Sequence, residues 1–265
     1  MPTPFELLLD PISLTVLAIY AGLIAWEALV PARRLPLVKH WKTRGLLAFA
    51  VYFLLSLYLP LLWTEHLARY QLFDLTALGT WTGVLAGLLV YEAGVYVWHR
   101  TMHSSNFLWR LFHQMHHSAE RIDTFGAFWF SPFDMIGWTA LFSLCLTLIV
   151  GLTPEATTLT MIAATFLSMF QHANVRTPRW LGYIVQRPES HARHHARGIH
   201  AGNYSDLPLF DILLGTFHNP RDFAEHNGFY EGASTRIVAM LCLRDVSKPP
   251  ADAGSKAVAL AATDH

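Results

Sequence analysis

The sequence predicts an all-α, integral-membrane helical bundle. It should have about four to five membrane helices, including a hairpin, and a cytosolic helical cap holding a histidine-rich dimetal site. Three observations predict it. The 265 residues are 53% hydrophobic and only 14% charged, with a mean hydropathy of +0.31, outside the balance of soluble domains. Long apolar runs recur through the first two thirds of the chain. Histidines, 15 in all, crowd into short polar stretches after those runs.

A helix needs about 20 mostly apolar residues to cross hydrocarbon, because lipid offers the backbone no other hydrogen-bond partner. Residues 11–30, 45–63 and 77–98 meet that requirement. Residues 133–151 and 155–171 are divided by GLTPE, where Gly151 and Pro154 mark a tight turn. They predict a helical hairpin that either spans fully or dips in and returns. The N-terminus lacks the basic region of a secretory signal and carries Glu6 and Asp10, so the first apolar run is expected to be a retained helix.

Short-loop basic residues set the expected orientation. The first loop holds Arg33, Arg34, Lys39, Lys42 and Arg44 without an acid, whereas Arg69 is the one strong base near TEHLARYQLFD. The first loop is therefore expected in the cytoplasm, and counting crossings brings HRTMH (99–103), HQMHH (113–117) and HARHH (191–195) to that same face. The expected divisions are 1–75, N-terminal membrane helices; 76–230, the catalytic unit; and 231–265, a C-terminal segment whose last twenty residues are disordered. After residue 172, short helices and loops should cap the bundle.

A formal net charge of zero gives no reason to expect a nucleic-acid partner. The two cysteines, Cys145 and Cys242, form no CxxC pair, so neither a disulfide framework nor a thiolate metal site is indicated.

The histidine spacing carries the chemistry. Residues three or four apart share a helix face, so His99 and His103, His113, His116 and His117, and His191, His194 and His195 each present imidazoles together. In HxxHH the adjacent pair diverges by about 100° on a helix, which lets neighbours serve two different ions. A single histidine would be read as an ordinary core or surface residue. Eight in three spaced clusters would leave many buried donors and acceptors unpaired, at about 1–3 kcal/mol each, unless a metal joins them. His172, in MFQHANVR at the hairpin's end, is a ninth candidate, with a helix-capping role as the alternative.

Imidazole suits zinc, copper, iron and nickel alike. Nine nitrogen donors exceed one closed, four-coordinate zinc site and favour two ions of higher coordination. HExxH, Glu-x-x-His, GxSxG and Gly-rich phosphate loops are absent from the sequence.

These boxes resemble the HxxxH, HxxHH and HxxHH boxes of the fatty acid hydroxylase / sterol desaturase superfamily, membrane non-haem di-iron oxygenases. The likeness extends to Glu92, Tyr96 and Trp98, to FHQMHHSAERID, to HAN at 172–174, to PESHARHH, and to NYSDLPLFDILLGTF, covering about residues 85 to 220. The resemblance implies O2- and iron-dependent oxidation of an unactivated lipid C–H bond on a fatty acyl chain or sterol, giving an alcohol or a double bond. It implies two iron ions, replaceable by zinc in purified protein, with O2 as co-substrate. The implied metal ligands are His99, His103, His113, His116, His117, His172, His191, His194 and His195.

Relatives often supply ten histidines. His200 is the candidate tenth, or a residue behind a ligand, as are Asn174, Tyr204, Asp206 and Asp211. Ser205 stands where the family's NYG has glycine. The lipid is expected to enter from the bilayer between the helices ending at His99 and His172. Phe125, Phe128, Trp129 and Phe130 would line that slot or else anchor the membrane interface. No cytochrome b5-like stretch is seen in these residues, so a separate donor, ferredoxin- or cytochrome b5-like, is expected. The alternatives are a non-catalytic zinc-binding scaffold in the membrane, and an oxygenase acting on a carotenoid or ether lipid.

Overall fold

Proline at the first helical position, behind a side chain that caps, starts much of this chain. Its missing N–H would be unpaired there in any case, while Ser, Thr or Asp just before it accepts a free N–H of the first turn. In the computed structural model, which describes residues 2–250, Thr3 caps α1 (Pro4–Leu8) and Asp10 caps α2 (Pro11–Leu29). Next come α3 (Trp41–Tyr58), α4 (Pro60–Ala68), β1 (Phe73–Asp74) and α5 (Gly79–Ser104). A short α6 (Asn106–Leu108) runs through a π-helical turn (Trp109–His113) into α7 (Gln114–His117).

Ser131 caps α8 (Pro132–Ser143), which continues as a π-helical stretch to Ile149 and β2 (Val150–Gly151). Thr153 caps α9 (Pro154–Phe170). The remainder holds α10 (Pro188–His194), α11 (Leu209–Leu213) and α12 (Ile237–Leu241).

Among the described residues, four segments are long and apolar enough to cross a membrane: Pro11–Leu29, Trp41–Ala68, Thr76–Ser104 and Pro132–Ile149. The second is longer than the expected 45–63, and Pro60 divides it into α3 and α4 by removing a ladder N–H. The third runs past the expected residue 98, so that His99 and His103 stand on its last turns. Leu46, Leu47, Val51, Leu54 and Leu85 face outward, as lipid-facing positions should.

The hairpin turn lies at the bundle end away from the histidines. Phe73 pairs in parallel with Val150 and Asp74 with Gly151, which ties that turn to the segment between α4 and α5. The hairpin therefore runs the length of the bundle instead of dipping in. Its second arm packs closely on α5: a Cβ on Gly87 would lie 2.9 Å from the Thr160 hydroxyl, the small-residue contact that lets membrane helices approach.

Polar side chains bolt the cap to the membrane helices. Glu27 of α2 accepts the backbone N–H of Thr124 at 2.9 Å and of Asn174 at 3.0 Å, and the Thr124 hydroxyl at 2.9 Å. Trp41 Nε1 donates to Asp123 at 2.7 Å, and Arg33 donates to Asn227 Oδ1 at 2.9 Å and to the Ala224 carbonyl. The basic loop after α2 thus lies on the cap side. At the other end of the chain, Val246 is fully buried and its N–H reaches Gln114 Oε1 at 3.3 Å. The expected disorder of the last twenty residues does not begin there, because α7 offers both an acceptor and an apolar wall; residues 251–265 lie outside the described residues.

Candidate metal centre

The end of α5, the α6–α7 segment, the end of α9 and α10 converge on one buried space. Nine histidines meet there in two groups, each with its donor atoms within 4.8 Å of one another. The first is His99, His103, His113, His117 and His194; the second is His116, His172, His191 and His195. Helical periodicity divides them: partners four residues apart (99/103, 113/117, 191/195) share a group, and His116 and His194, the residues at i+3, cross to the other group. Both HH dipeptides are split between the groups, as the angular divergence of neighbours requires. All nine are buried except His103, which is half-buried.

Several imidazoles are held by an acceptor at Nδ1. His99 Nδ1 stands 2.7 Å from the Tyr204 carbonyl, His194 Nδ1 2.6 Å from that of Gly202, and His172 Nδ1 2.7 Å from that of Ser168. His113 Nδ1 stands 3.1 Å from the Asp134 carboxylate. Carbonyls only accept, so His99, His172 and His194 carry their hydrogen on Nδ1 and turn a bare Nε2 inward, and His113 does the same when Asp134 is ionised.

There, Nε2 faces Nε2: His99 and His113 at 2.9 Å, His117 and His194 at 3.0 Å, His116 and His172 at 3.1 Å, His172 and His191 at 2.9 Å, His191 and His195 at 3.1 Å. With Asp134 ionised, this brings two lone pairs of His99 and His113 together with no hydrogen between them. A shared cation removes that conflict. Every such pair also lies within one group, never across the two.

Each group is of a size that could hold a metal ion. With metal–imidazole bonds of about 2.1 Å, neighbouring ligands stand about 3.0 Å apart at right angles and about 3.4 Å apart at the tetrahedral angle. The closest observed contacts, 2.9–3.1 Å, are of the size expected between donors around one ion. Protons are a poor substitute: burial, reinforced by neighbouring imidazoles, pushes His113, His116, His117, His191, His194 and His195 well below the usual histidine range. Burial takes His172 down to about 4. Nε2 of His103 and Nδ1 of His195 are buried without a hydrogen-bond partner among the described residues, and the Trp129 backbone stands near the His116 ring.

His200 stays outside both groups. Its Nδ1 lies 3.0 Å from Nδ1 of His117, the nitrogen opposite the one that faces His194, so it stands behind a donor. Burial lowers it to about 4. Tyr204 contributes its carbonyl to His99, and Asp211 aims that segment by accepting the N–H groups of Tyr204 at 2.8 Å and Ser205 at 3.0 Å. Glu92, fully buried on α5, accepts the N–H groups of Asp206 at 2.8 Å and Leu207 at 3.0 Å and the Ser205 hydroxyl at 3.2 Å. Serine fits at 205 because the left-handed conformation falls on Asn203, at φ 53°.

Three expected placements are different. Asn174 gives its amide to the Arg33 carbonyl at 2.8 Å and so ties the cap to α2 instead of orienting a histidine. Phe125 packs near Lys42 and over Gly45, away from the histidines, and the Trp129 ring tilts against Trp41 while its backbone stands near His116. Phe128 and Phe130 do border a cavity of about 60 Å³ in front of His99, His116 and His172.

A second cavity, of about 130 Å³, shares Tyr52 and Phe128 with the first and continues among α2, α3, α8 and α9. Along Gly87, α5 and α9 pack too closely to leave a slot between them at that level.

Sequence reasoning missed Asp134, Gln171 and Gln186. An acid two residues inside an apolar helix is a signal that points to Asp134. Gln186 lies in a loop and carries no such signal.

Comparison with known proteins agrees with this geometry. The family model described as fatty acid hydroxylase matches residues 84–216, which contain every histidine of both groups. Ornithine lipid hydroxylase OlsE of Rhizobium tropici is 35% identical over 142 residues, covering 52% of this chain and 42% of that protein. The match thus spans less than half the length of that relative. No solved structure matches the chain at a significant level. The family match, running through all three histidine boxes, shows that this membrane protein belongs to the fatty acid hydroxylase family.

Proposed function

We propose that the protein is a membrane-bound, O2-dependent di-iron oxidoreductase that hydroxylates or desaturates an unactivated C–H bond of a lipid. The observation that carries this reading is the meeting of two all-histidine donor groups with an apolar cavity leading into the membrane bundle. A scaffold that only stored zinc would have no use for such a cavity.

The five-histidine and four-histidine groups would each hold one iron. Iron bound there supplies dioxygen activation and C–H oxidation, chemistry that no side chain can perform alone. The chain's own contribution is positioning and exclusion of water. Tyr52, Phe128, Phe130 and Trp138 wall the space in front of His99, His113 and His116, holding an apolar chain close while leaving little room for solvent. Nδ1 acceptors keep Nε2 free on the rings that face the metals.

The name of the Rhizobium relative supports a lipid as substrate. The basic loop on the cap side supports a cytoplasmic site, where a ferredoxin- or cytochrome b5-like carrier would deliver electrons.

The test is metal analysis and Mössbauer spectroscopy of protein purified anaerobically from iron-57 medium, beside a His116→Ala/His194→Ala double variant. About two coupled irons per chain, lost in the variant and accompanied by an oxidised lipid that depends on the gene, are expected. Zinc alone, with unchanged lipids when the gene is deleted, overturns the reading.

A further inference from the structure

Among the nine histidines, His191 is held in a way the others are not. Its Nδ1 faces an amide, with Gln186 Nε2 at 3.1 Å. That amide donates to Gln171 Oε1, and Gln171 Nε2 donates to Asp206 Oδ1 at 2.7 Å. The loop closes on itself, because the Gln186 backbone N–H donates to the Asp206 carbonyl at 2.7 Å. Gln171, Gln186 and Asp206 are all buried, and Asp206 borders the cavity in front of the histidines.

We propose that Gln186 and Gln171 are positioning residues of the four-histidine group, linking His191 to Asp206 at the cavity wall. The proposal rests on the metal-centre reading above. The four-histidine group needs such a device more than its neighbour does. In the five-histidine group, His99, His113 and His194 each have a carbonyl or carboxylate at Nδ1. In the four-histidine group His172 has one, the Trp129 backbone stands near the His116 ring, and Nδ1 of His195 has no hydrogen-bond partner among the described residues. His191 is the ring of that group held through side-chain amides.

The chain of amides has a direction. A His191 that binds metal through Nε2 carries its hydrogen on Nδ1 and needs an acceptor there. A half-turn of the Gln186 amide supplies one, its oxygen facing His191. Gln171 then turns its NH2 toward Gln186 and its oxygen toward Asp206, which must present a hydrogen. Burial raises the Asp206 carboxyl to about 7, with Asp211 adding to the effect, so the protonated form is within reach at neutral pH. Glu92 stands on the backbone N–H of Asp206 at 2.8 Å and fixes where that carboxyl sits.

The experiment is an anaerobic iron(II) titration of the metal-stripped full chain in detergent, counting ions bound per chain and their affinities by chelator competition. Wild type, Gln186→Leu, Gln171→Leu and Gln186→Glu are compared, with His194→Ala marking the five-histidine group. Gln186→Leu and Gln171→Leu are expected to bind one ion as wild type does and the other about 10–100-fold more weakly. Gln186→Glu, which keeps an acceptor for Nδ1, is expected to restore most of that loss.

Two ions bound with wild-type affinities in both leucine variants would overturn the proposal, and so would equal weakening at both groups, the mark of a general loss of fold. A wild type that binds fewer than two ions overturns the dinuclear reading itself, and this proposal with it. Because iron uptake is counted without turnover, a missing lipid substrate does not enter the result.

Discussion

His117 and His195 lie ring on ring, with centroids 4.0 Å apart and planes within 11°, yet they belong to different donor groups. The contact is the seam between the two candidate metal sites, built by pressing α7 against α10. Removing either ring should separate the sites' fates. His195→Ala leaves three donors in its group, whereas His117→Ala leaves four in the other. After dialysis against a chelator, His195→Ala is expected to retain about one iron per chain and His117→Ala closer to two. Equal retention in the two variants would contradict the division into groups.

The Asp134 carboxylate behind His113 tests how far support matters beyond the donors. Asp134→Leu removes the acceptor from a buried Nδ1, and a loss of about 10–100-fold in metal affinity at the five-histidine group is expected. Asp134→Asn keeps an oxygen acceptor and should lose less. Chelator competition measures both.

Glu27 joins a membrane helix to the loop that follows the second box and to the loop that carries His172. Glu27→Leu leaves the N–H groups of Thr124 and Asn174 buried and unpaired, at about 1–3 kcal/mol each. The thermal midpoint of the metal-free protein in detergent should fall clearly, while Glu27→Gln, which can still accept, should fall less.

The cavity beyond Phe128 should govern which lipid fits. Met161 and Thr165 line its far part, and Met161→Trp would fill space there without touching a histidine. Lipid analysis of cells carrying this variant should show a product distribution shifted toward shorter or less bulky chains, with metal content unchanged. An unchanged distribution would mean that the substrate does not occupy that cavity.

Acid should destabilise the metal-free protein. The eight histidines 113, 116, 117, 172, 191, 194, 195 and 200 all titrate below the usual 6.5 when folded, and His172 and His200 do so near 4. Between these values the unfolded chain binds more protons, so stability rises with pH and is lost as pH falls from about 6.5 toward 4. Asp206, raised from 3.8 to about 7, acts in the opposite sense, losing its contribution as pH rises through about 7. Eight histidines outweigh it below neutrality. Unfolding midpoints across that range should fall steeply without metal and less steeply with iron(II) bound.

Much of the architecture was legible in the chain because its causes are local. Apolar length predicts a membrane helix, Pro after Asp, Ser or Thr marks where α2, α8 and α9 begin, and a four-residue interval puts His99 with His103 whatever surrounds them. The same periodicity separates His116 from His117. His172 entered the set as an ionisable residue at the hairpin's end, and the family resemblance then included it among the implied ligands.

What the tertiary structure decided depends on residues far apart in sequence. Asp134 meets His113 across 21 positions, and Tyr204 offers its carbonyl to His99 across 105, contacts that no local pattern encodes. Asn174, Phe125 and Trp129 looked like site residues by proximity in sequence, but the loops that carry them turn toward α2 and α3. The glycine contact brings α5 against α9, and a cavity is left among α2, α3, α8 and α9. The sequence by itself determined which imidazoles cluster and on which helix faces they stand, because helical geometry is a property of neighbours. Only packing decided what stands behind each imidazole and which side chains wall the cavity in front of it.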